Sequence, residues 1–297
     1  MTVAASLKTE AFILSEGPTW DPVDGRVTWV DLEAGRILSA PWIDERAALG
    51  AVTSVSVGER VGCVFPIGGG RFLAALTREL AIVDAEGVTE RSVALTPEGT
   101  RFNDGKIDPA GRLLVGTLAL DEEGSDHLLL RLEHDGSVTT LDNDLRLSNG
   151  LGWSPDGSVF YSIDTPRNTV FRRDYDVASG RVGERSVFID LMDAHPDGMT
   201  VDADGNLWVA IWGGFEVRCY DASGRRVQDA TIAVDAPHVS SAAFVGSDLD
   251  QLVITSASRD LSPEERLRWP HAGGLFVARS GARGLAPTPW REVPLPA

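Results

Sequence analysis

The sequence predicts an all-β fold, a six-bladed β-propeller with four antiparallel strands in each blade. Three observations predict it: a unit of about 45 residues recurs six times, each unit alternates apolar and polar residues with a period of two, and tight turns separate the alternating runs. Four short strands per repeat of this length are typical of propeller blades. We therefore expect residues 1–297 to form a single propeller domain.

The turn before each second strand marks the repeat. In the first five units a glycine closes this turn and precedes the runs RVTWVD, RFLAAL, RLLVGT, SVFYSI and NLWVAI, whereas the sixth unit reads GSDLDQLVITSAS. The turns are 41 to 48 residues apart and lie at Gly25, Gly70, Gly111, Gly157, Gly205 and near Asp250. This near-constant spacing predicts that the six units occupy equivalent places around one axis.

The fifth unit shows all four predicted strands of a blade. They read MTVD, NLWVAIW, FEVRCYD and RRVQDATI, with turns of the type Asp-Gly or Ser-Gly between strands. The one helix-like stretch of the chain is SPEERLRW at 262–269, which predicts one or two helical turns inserted in the last blade.

Composition and charge exclude several classes of function. Hydrophobic residues make up 43% of the chain and the formal net charge is −17, which argues against a nucleic-acid partner and against an anionic membrane surface. Cys63 and Cys219 lie far apart and predict neither a disulfide framework nor a metal knuckle. No run of 18 apolar residues and no signal-peptide pattern occurs, so we expect a cytoplasmic protein, and a monomer.

Four oxygen-bearing side chains share one position in the repeat. Each stands five residues before the residue that begins a turn, at the start of an innermost strand: Glu16, Asn103, Asn149 and Asp197. Because equal positions in rotated blades have equal height and radius, we expect these side chains to form one ring around the axis. Carboxylate and amide oxygens suit Ca²⁺, Mg²⁺ or Mn²⁺ best, and Zn²⁺ is compatible. The alternative is that each side chain only bonds nearby backbone amides of its own turn.

The chain resembles a known family at these same residues, the senescence-marker-protein, regucalcin and gluconolactonase family of six-bladed propellers. The motifs that carry the resemblance are LSEGPTW, RFNDGKIDPAGRLLVGT, LSNGLGWSPD, PDGMTVDADGNLWVA and HAGGLF, which span nearly the whole chain in the family's order. The resemblance implies a divalent-metal-dependent hydrolase that opens sugar lactones or similar esters.

The resemblance also implies roles for individual residues. Glu16, Asn149 and Asp197 match the family's metal ligands, while Arg101 and Asn103 match its substrate-contacting pair. Asp121 takes the place of an acidic residue that contacts sugar hydroxyls, and the neighbouring Glu122 is an alternative. Lys106 belongs to the same motif, either as a substrate contact or in a salt bridge to a neighbouring carboxylate.

A mechanism follows as an expectation. We expect the metal to be Ca²⁺, with Zn²⁺, Mn²⁺ or Mg²⁺ as alternatives, and we expect it to polarise the lactone carbonyl. The attacking water would lose its proton to Asp197, or it would attack as a hydroxide held by the ion. Residues 118–127 are expected to form a lid over the site. Two other functions stay open: hydrolysis of phosphotriesters or fluorophosphates at the same site, and a propeller that binds calcium without catalysis.

Overall fold

The computed structural model describes residues 2–295, and six blades of antiparallel strands surround a central axis, as the sequence predicts. The first blade contains β3 (Ser15–Asp21), β4 (Arg26–Asp31), β5 (Arg36–Ile43) and β7 (Thr53–Ser56), with β6 (Ala48–Leu49) pairing on the end of β5. The second contains β8 (Cys63–Gly68), β9 (Arg71–Ala75), β10 (Glu79–Val83) and β11 (Thr89–Ala94), and the third β12 (Thr100–Ile107), β13 (Leu113–Ala119), β14 (His127–Leu132) and β15 (Val138–Leu145).

The remaining three blades follow in chain order. The fourth contains β16 (Ser148–Trp153), β17 (Val159–Asp164), β18 (Thr169–Asp174) and β19 (Ser186–Asp190), and the fifth β20 (His195–Val201), β21 (Leu207–Trp212), β22 (Glu216–Tyr220) and β23 (Ile232–Ala233). The sixth contains β24 (His238–Val245), β25 (Gln251–Ala257) and β26 (Leu275–Ala278). A single ladder pair, Trp212 with His238, joins the fifth and sixth blades into one sheet.

Residues near the N-terminus close the ring. β2 (Ala5–Ser6) pairs antiparallel with β26 and is the fourth strand of the sixth blade, while β1 (Thr2–Val3) pairs parallel with β23 of the fifth. The first and sixth inner strands are also joined directly, because the Ser240 hydroxyl donates to the Ser15 carbonyl at 2.6 Å. The first and last repeats are thereby held together without a partner chain.

The predicted turns and the predicted helix are confirmed. The five marker glycines have left-handed backbone angles, with φ between 60° and 88°, and in the sixth turn Gly246 at φ 90° and Leu249 at φ 53° take this conformation. The helix α1 (Pro263–Arg268) begins after Ser262, which forms a capping box in which its hydroxyl accepts from Glu265 N at 3.2 Å. Short 3₁₀ turns occupy Asp44–Arg46, Thr165–Arg167 and Gln228–Ala230.

The prediction of the fourth strand of the fifth blade was wrong, because the strand is much shorter than predicted. The stretch RRVQDATI is mostly a 3₁₀ turn and loop, and only its last residue belongs to β23. The Arg226 side chain reaches the Glu216 carboxylate at 3.1 Å, and Gln228–Ala230 turns the chain away from the sheet. β1 adds a parallel strand outside this short edge, so the outer edge of the blade is still covered.

The hydrophobic core lies between neighbouring blades. Trp208 of the fifth blade is 2% exposed and packs edge-on against Phe244 of the sixth, with ring centroids 6.2 Å apart. Full burial of such a side chain contributes roughly 1.5–3 kcal/mol. This packing fixes the angular position of each inner strand and therefore the geometry of the ring that the strands carry. Among residues 2–295, no helix is long and apolar enough to span a bilayer.

Candidate active site

A β-bulge lies at each of the four ring positions. The register of the inner ladder shifts directly after Glu16 in β3 and after Asn149 in β16, between Phe102 and Gly105 in β12, and between Pro196 and Met199 in β20. A bulge leaves a residue unpaired and turns its side chain away from the usual alternation. The repeated offset in the sequence therefore reflects a repeated backbone irregularity that turns four side chains to one end of the axis.

The second blade lacks this irregularity at the corresponding height. β8 pairs regularly from Cys63 to Phe65, and its register shifts only between Pro66 and Gly68 at the other end of the strand. At the height where the first, third, fourth and fifth blades have an oxygen-bearing side chain, the second blade has the buried thiol of Cys63. Burial raises the pKa of this thiol well above its ordinary value.

A directed chain of hydrogen bonds connects the third, fourth and fifth blades at the ring. Arg101 Nη1 donates to Asn103 Oδ1 at 2.8 Å, and Asn103 Nδ2 donates to Asn149 Oδ1 at 2.9 Å. Asn149 Nδ2 donates to Thr165 Oγ1 at 2.9 Å, and that hydroxyl donates to the Pro196 carbonyl at 2.7 Å. Each donor has one acceptor in this chain, so the chain fixes the orientation of both amides. One lone pair of Asn149 Oδ1 remains for another partner.

The two carboxylates of the ring, Glu16 and Asp197, are buried, and their negative charges repel each other. Burial, and next the charge of Asp104, raise the pKa of Glu16 from 4.5 to about 8, although its carboxylate accepts from Gly17 N at 3.0 Å. Burial, and next the charge of Glu16, raise the pKa of Asp197 well above its ordinary value. Among residues 2–295 no donor bonds the Asp197 carboxylate. The Gly17 amide and the charge of Arg101 offset the desolvation and the mutual repulsion only in part, so two buried carboxylates without a cation are unfavourable.

This arrangement fits a bound divalent cation. Glu16, Asn149 and Asp197 supply two carboxylates and an amide oxygen, the donor set of a hard cation, and a cation would offset the charge that the protein leaves uncompensated. No group of three or more His, Cys, Asp or Glu side chains within residues 2–295 is arranged to hold a metal ion. The amide oxygen of Asn149 would be the third protein ligand, and three protein ligands would leave further coordination positions for water and substrate.

Asp104 is an additional residue of the site that the repeat did not single out. It occupies the one place where a unit has a residue inserted between the ring position and its glycine, and its carboxylate accepts from Gly105 N at 2.8 Å. Its charge raises the pKa of both Glu16 and Asp197. Asp104 and Lys106 line an axial cavity of about 390 Å³ that extends from Gly17 to the turns at the other end of the propeller, and Glu16, Asn149 and Asp197 do not line it. Burial lowers the pKa of Lys106, and the charge of Asp104 opposes that change.

The two acidic candidates for a sugar contact, Asp121 and Glu122, have different surroundings in the structure. Asp121 is exposed and its carboxylate accepts from Glu123 N at 3.1 Å, so it bonds its own turn and lies apart from the ring. Glu122 has a left-handed backbone with φ 61°, and its charge acts on the pKa values of Arg101 and Asp197. Glu122, the alternative, is therefore the lid carboxylate that acts on the ring, and a sugar contact by either residue stays a prediction.

Comparison with known proteins identifies the family. The family model described as SMP-30/Gluconolactonase/LRE-like region matches residues 14–258, which include every ring residue. The chain belongs to this family. The resemblance stated from the motifs is confirmed.

Relatives and solved structures cover nearly the whole chain. It is 37% identical to a pentonolactonase, XacC, of Haloferax volcanii over 88% of this chain and 87% of the relative. It is 34% identical to the regucalcin of Danio rerio over 95% of this chain and 98% of the relative. A crystal structure of a calcium-binding protein, regucalcin, from Agrobacterium tumefaciens has a TM-score of 0.90 and 28% identity, covering 98% of this chain and 100% of the other.

We expect Thr165→Val to weaken cation binding without unfolding the protein. The valine cannot accept from Asn149 Nδ2 or donate to the Pro196 carbonyl, so the Asn149 amide loses its orientation. Loss of a residue that orients a metal ligand typically weakens affinity 10- to 100-fold. Calorimetric titration with Ca²⁺ measures the change, and Thr165→Ser should retain native affinity.

Thr169→Val is the matched control for this prediction. Thr169 lies in the same blade, and its hydroxyl donates to the Arg167 carbonyl at 2.8 Å, outside the chain that reaches the ring. An equal loss of Ca²⁺ affinity in both valine variants would contradict the orienting role of Thr165.

Proposed function

We propose that this protein is a divalent-metal-dependent hydrolase of sugar lactones, with its site at the ring. The observation that carries the proposal is the pair of buried, electrostatically opposed carboxylates, Glu16 and Asp197, beside the free lone pair of Asn149 Oδ1. Membership of a family whose named relatives include a pentonolactonase supports the substrate class. Ca²⁺ is the ion we propose first, because the ligands are all oxygen.

Lactone hydrolysis requires an activated water and stabilisation of negative charge on the carbonyl oxygen. The cation, when bound, supplies the positive charge for the second requirement and lowers the pKa of water nearby. Asp197 is the residue we propose to take the proton of the attacking water, because its carboxylate is not engaged by any donor of the described chain. Glu16 accepts from Gly17 N and is held in place, which suits a ligand better than a base.

Arg101 and Asn103 have unequal capacity to hold a sugar. Both hydrogens of Arg101 Nη1 are used, by the Phe102 carbonyl at 3.0 Å and by Asn103, so Nε and Nη2 remain as donors to substrate. Both hydrogens of Asn103 Nδ2 are also used, by the Ser148 carbonyl and by Asn149. Asn103 can therefore offer substrate only an acceptor, and we propose that it mainly positions Arg101 and Asn149 while Arg101 binds sugar oxygens.

A substrate panel tests the proposed substrate class. Gluconolactone, galactonolactone, xylonolactone and arabinonolactone would be assayed by acid release with Ca²⁺ present, corrected for spontaneous opening, beside a phosphotriester. We expect at least one sugar lactone to have kcat/KM about 100-fold above that of the phosphotriester. The reverse order would assign the site to phosphotriester hydrolysis, and no turnover of either class with Ca²⁺ bound would indicate a binding protein.

A further inference from the structure

A continuous series of ion pairs crosses the mouth of the site. Arg60 Nε lies 2.8 Å from Glu33 Oε2, Arg259 Nη1 lies 3.7 Å from Glu33 Oε1, and Arg259 Nη2 lies 2.6 Å from Glu122 Oε1. We call these four residues the collar. Glu33 and Arg60 lie in the loops that follow β4 and β7 of the first blade. Glu122 follows β13 of the third blade, and Arg259 follows β25 of the sixth. All four loops lie at the end of the propeller where the ring lies.

The Arg259–Glu122 pair joins opposite blades. The third and sixth blades face each other across a six-membered ring, so a direct contact between their loops must pass over the axis. Arg259 N donates to the Ile13 carbonyl at 2.9 Å, and Glu122 N donates to the Ala119 carbonyl at 3.0 Å, so the backbone of each partner is anchored. Glu122 and Asp260 both have φ 61°, a conformation that is uncommon outside glycine and costs backbone energy.

The collar lies over the substrate-binding side of the ring. Burial is the main cause that lowers the pKa of Arg101 to about 10. The charges of all four collar residues also act on this pKa: the two glutamates raise it and the two arginines lower it. The charge of Glu122 also acts on Asp197. Asp260 Oδ2 also lies 3.3 Å from Arg259 Nε, so two arginines and three carboxylates give these residues a net charge of −1. They therefore offer no excess positive charge to draw in a phosphorylated or carboxylated substrate.

We propose that the collar determines substrate specificity, with Arg259 as its closing residue, and that it restricts the site to compact, uncharged polyhydroxylated lactones. This proposal rests on the proposed lactonase function. Because the Arg259–Glu122 pair spans the axis above the ring, a substituent that runs outward along the axis from a bound lactone must displace the pair, and a compact lactone has no such substituent. Because the side chains of Arg259 and Glu122 are 29% and 40% exposed, water screens the pair and it can open to admit substrate.

Replacing Arg259 tests the collar by a change in relative specificity. In Arg259→Gln we expect kcat/KM for a lactone with a long alkyl chain to rise at least tenfold, KM for a compact sugar lactone to rise several-fold, and kcat for that lactone to change less than twofold. Ca²⁺ affinity should not change, since Arg259 does not contact the ring ligands. Arg259→Lys, which keeps the charge, should retain most of the native selectivity.

Two further measurements keep the proposal testable. Arg279→Gln removes an exposed arginine that pairs with Asp250 near the turn at the other end of the sixth blade, and it should leave selectivity unchanged. In the unmodified protein, 1 M NaCl shortens the screening length to about 3 Å and should shift selectivity toward the alkyl-chain lactone. Faster hydrogen exchange of residues 118–127 in Arg259→Gln would support release of the loop.

The outcomes separate the collar from the function on which it rests. The native protein, Arg259→Gln and the protein at high salt would be compared for their selectivity between a compact lactone and an alkyl-chain lactone. If all three hydrolyse the compact lactone with the same selectivity, the proposed role of the collar is overturned and the proposed lactonase function stands. Absence of lactone hydrolysis in the unmodified, Ca²⁺-loaded protein would instead overturn the proposed function. A selectivity change as large in Arg279→Gln would also overturn the collar, since its effect would then not be local.

Discussion

Asp197→Asn is expected to reduce lactone hydrolysis about 10³-fold while stabilising the metal-free protein. The amide cannot take a proton from water and is a weaker ligand for a cation, so both proposed roles are lost. The same change removes a buried carboxylate that no described residue bonds and that opposes Glu16. Assays with Ca²⁺ measure the first effect. Thermal unfolding of stripped protein at pH 8 measures the second, with a midpoint rise of several degrees expected.

Asp202→Asn is the matched control, because Asp202 is an equally buried aspartate just beyond the other end of the same strand. Its carboxylate is fully bonded, accepting from Asp204 N at 3.0 Å, Asn206 N at 2.8 Å and Trp208 Nε1 at 2.9 Å. The asparagine cannot satisfy all these donors, so this variant should unfold at lower temperature yet retain Ca²⁺ binding. Stabilisation by Asp202→Asn, or destabilisation by Asp197→Asn, would contradict this assignment of the two carboxylates.

The stability of the metal-free protein is expected to fall as the pH rises from about 5 to 8, and Ca²⁺ should reverse the fall. The folded pKa of Glu16, about 8, lies above its ordinary value of 4.5, so the folded form binds more protons than the unfolded form between these values. The free energy of unfolding therefore decreases with pH across this window. Burial and the charge of Asp104 are the main causes, and Arg101 opposes them.

Thermal unfolding at several pH values, with and without Ca²⁺, measures this dependence. Binding of Ca²⁺ should release protons below pH 8, which calorimetry in buffers of different ionisation enthalpy detects. Glu16→Gln should flatten the pH dependence of the metal-free protein. A metal-free stability that rises between pH 5 and 8 would contradict the electrostatic account of the ring.

The ring residues could be predicted from the sequence because the repeat itself encodes them. Glu16, Asn149 and Asp197 occupy one register position, and rotation of the blades brings equal positions to one height. The β-bulges that turn these side chains toward the axis leave only a faint mark in the sequence, the glycine that follows. In the third unit the displaced glycine, Gly105, was the sign of an inserted residue, Asp104, whose influence on the ring appears only in the structure.

Contacts made by loops of unequal length could not be predicted. Thr165 and Arg259 lie in the loops that follow the second strands of their blades, and these loops differ in length and sequence from unit to unit, so their contacts depend on how far each loop reaches across the mouth. Asp121 and Glu122 illustrate the same limit, because a single left-handed residue decides which of two adjacent carboxylates acts on the ring. The shortened fourth strand of the fifth blade likewise depends on β1, which is distant in the sequence.

The most direct test of the ring as a catalytic cation site is a titration of metal-stripped protein with Ca²⁺, Mg²⁺, Mn²⁺ and Zn²⁺ in turn. Binding by calorimetry and hydrolysis of a sugar lactone would be followed on the same samples. We predict one cation per chain, hydrolysis that is absent after stripping and rises in proportion to occupancy, and loss of both in Asp197→Asn. Full hydrolysis by the stripped protein, or cation binding that Asp197→Asn leaves unchanged, would contradict this prediction.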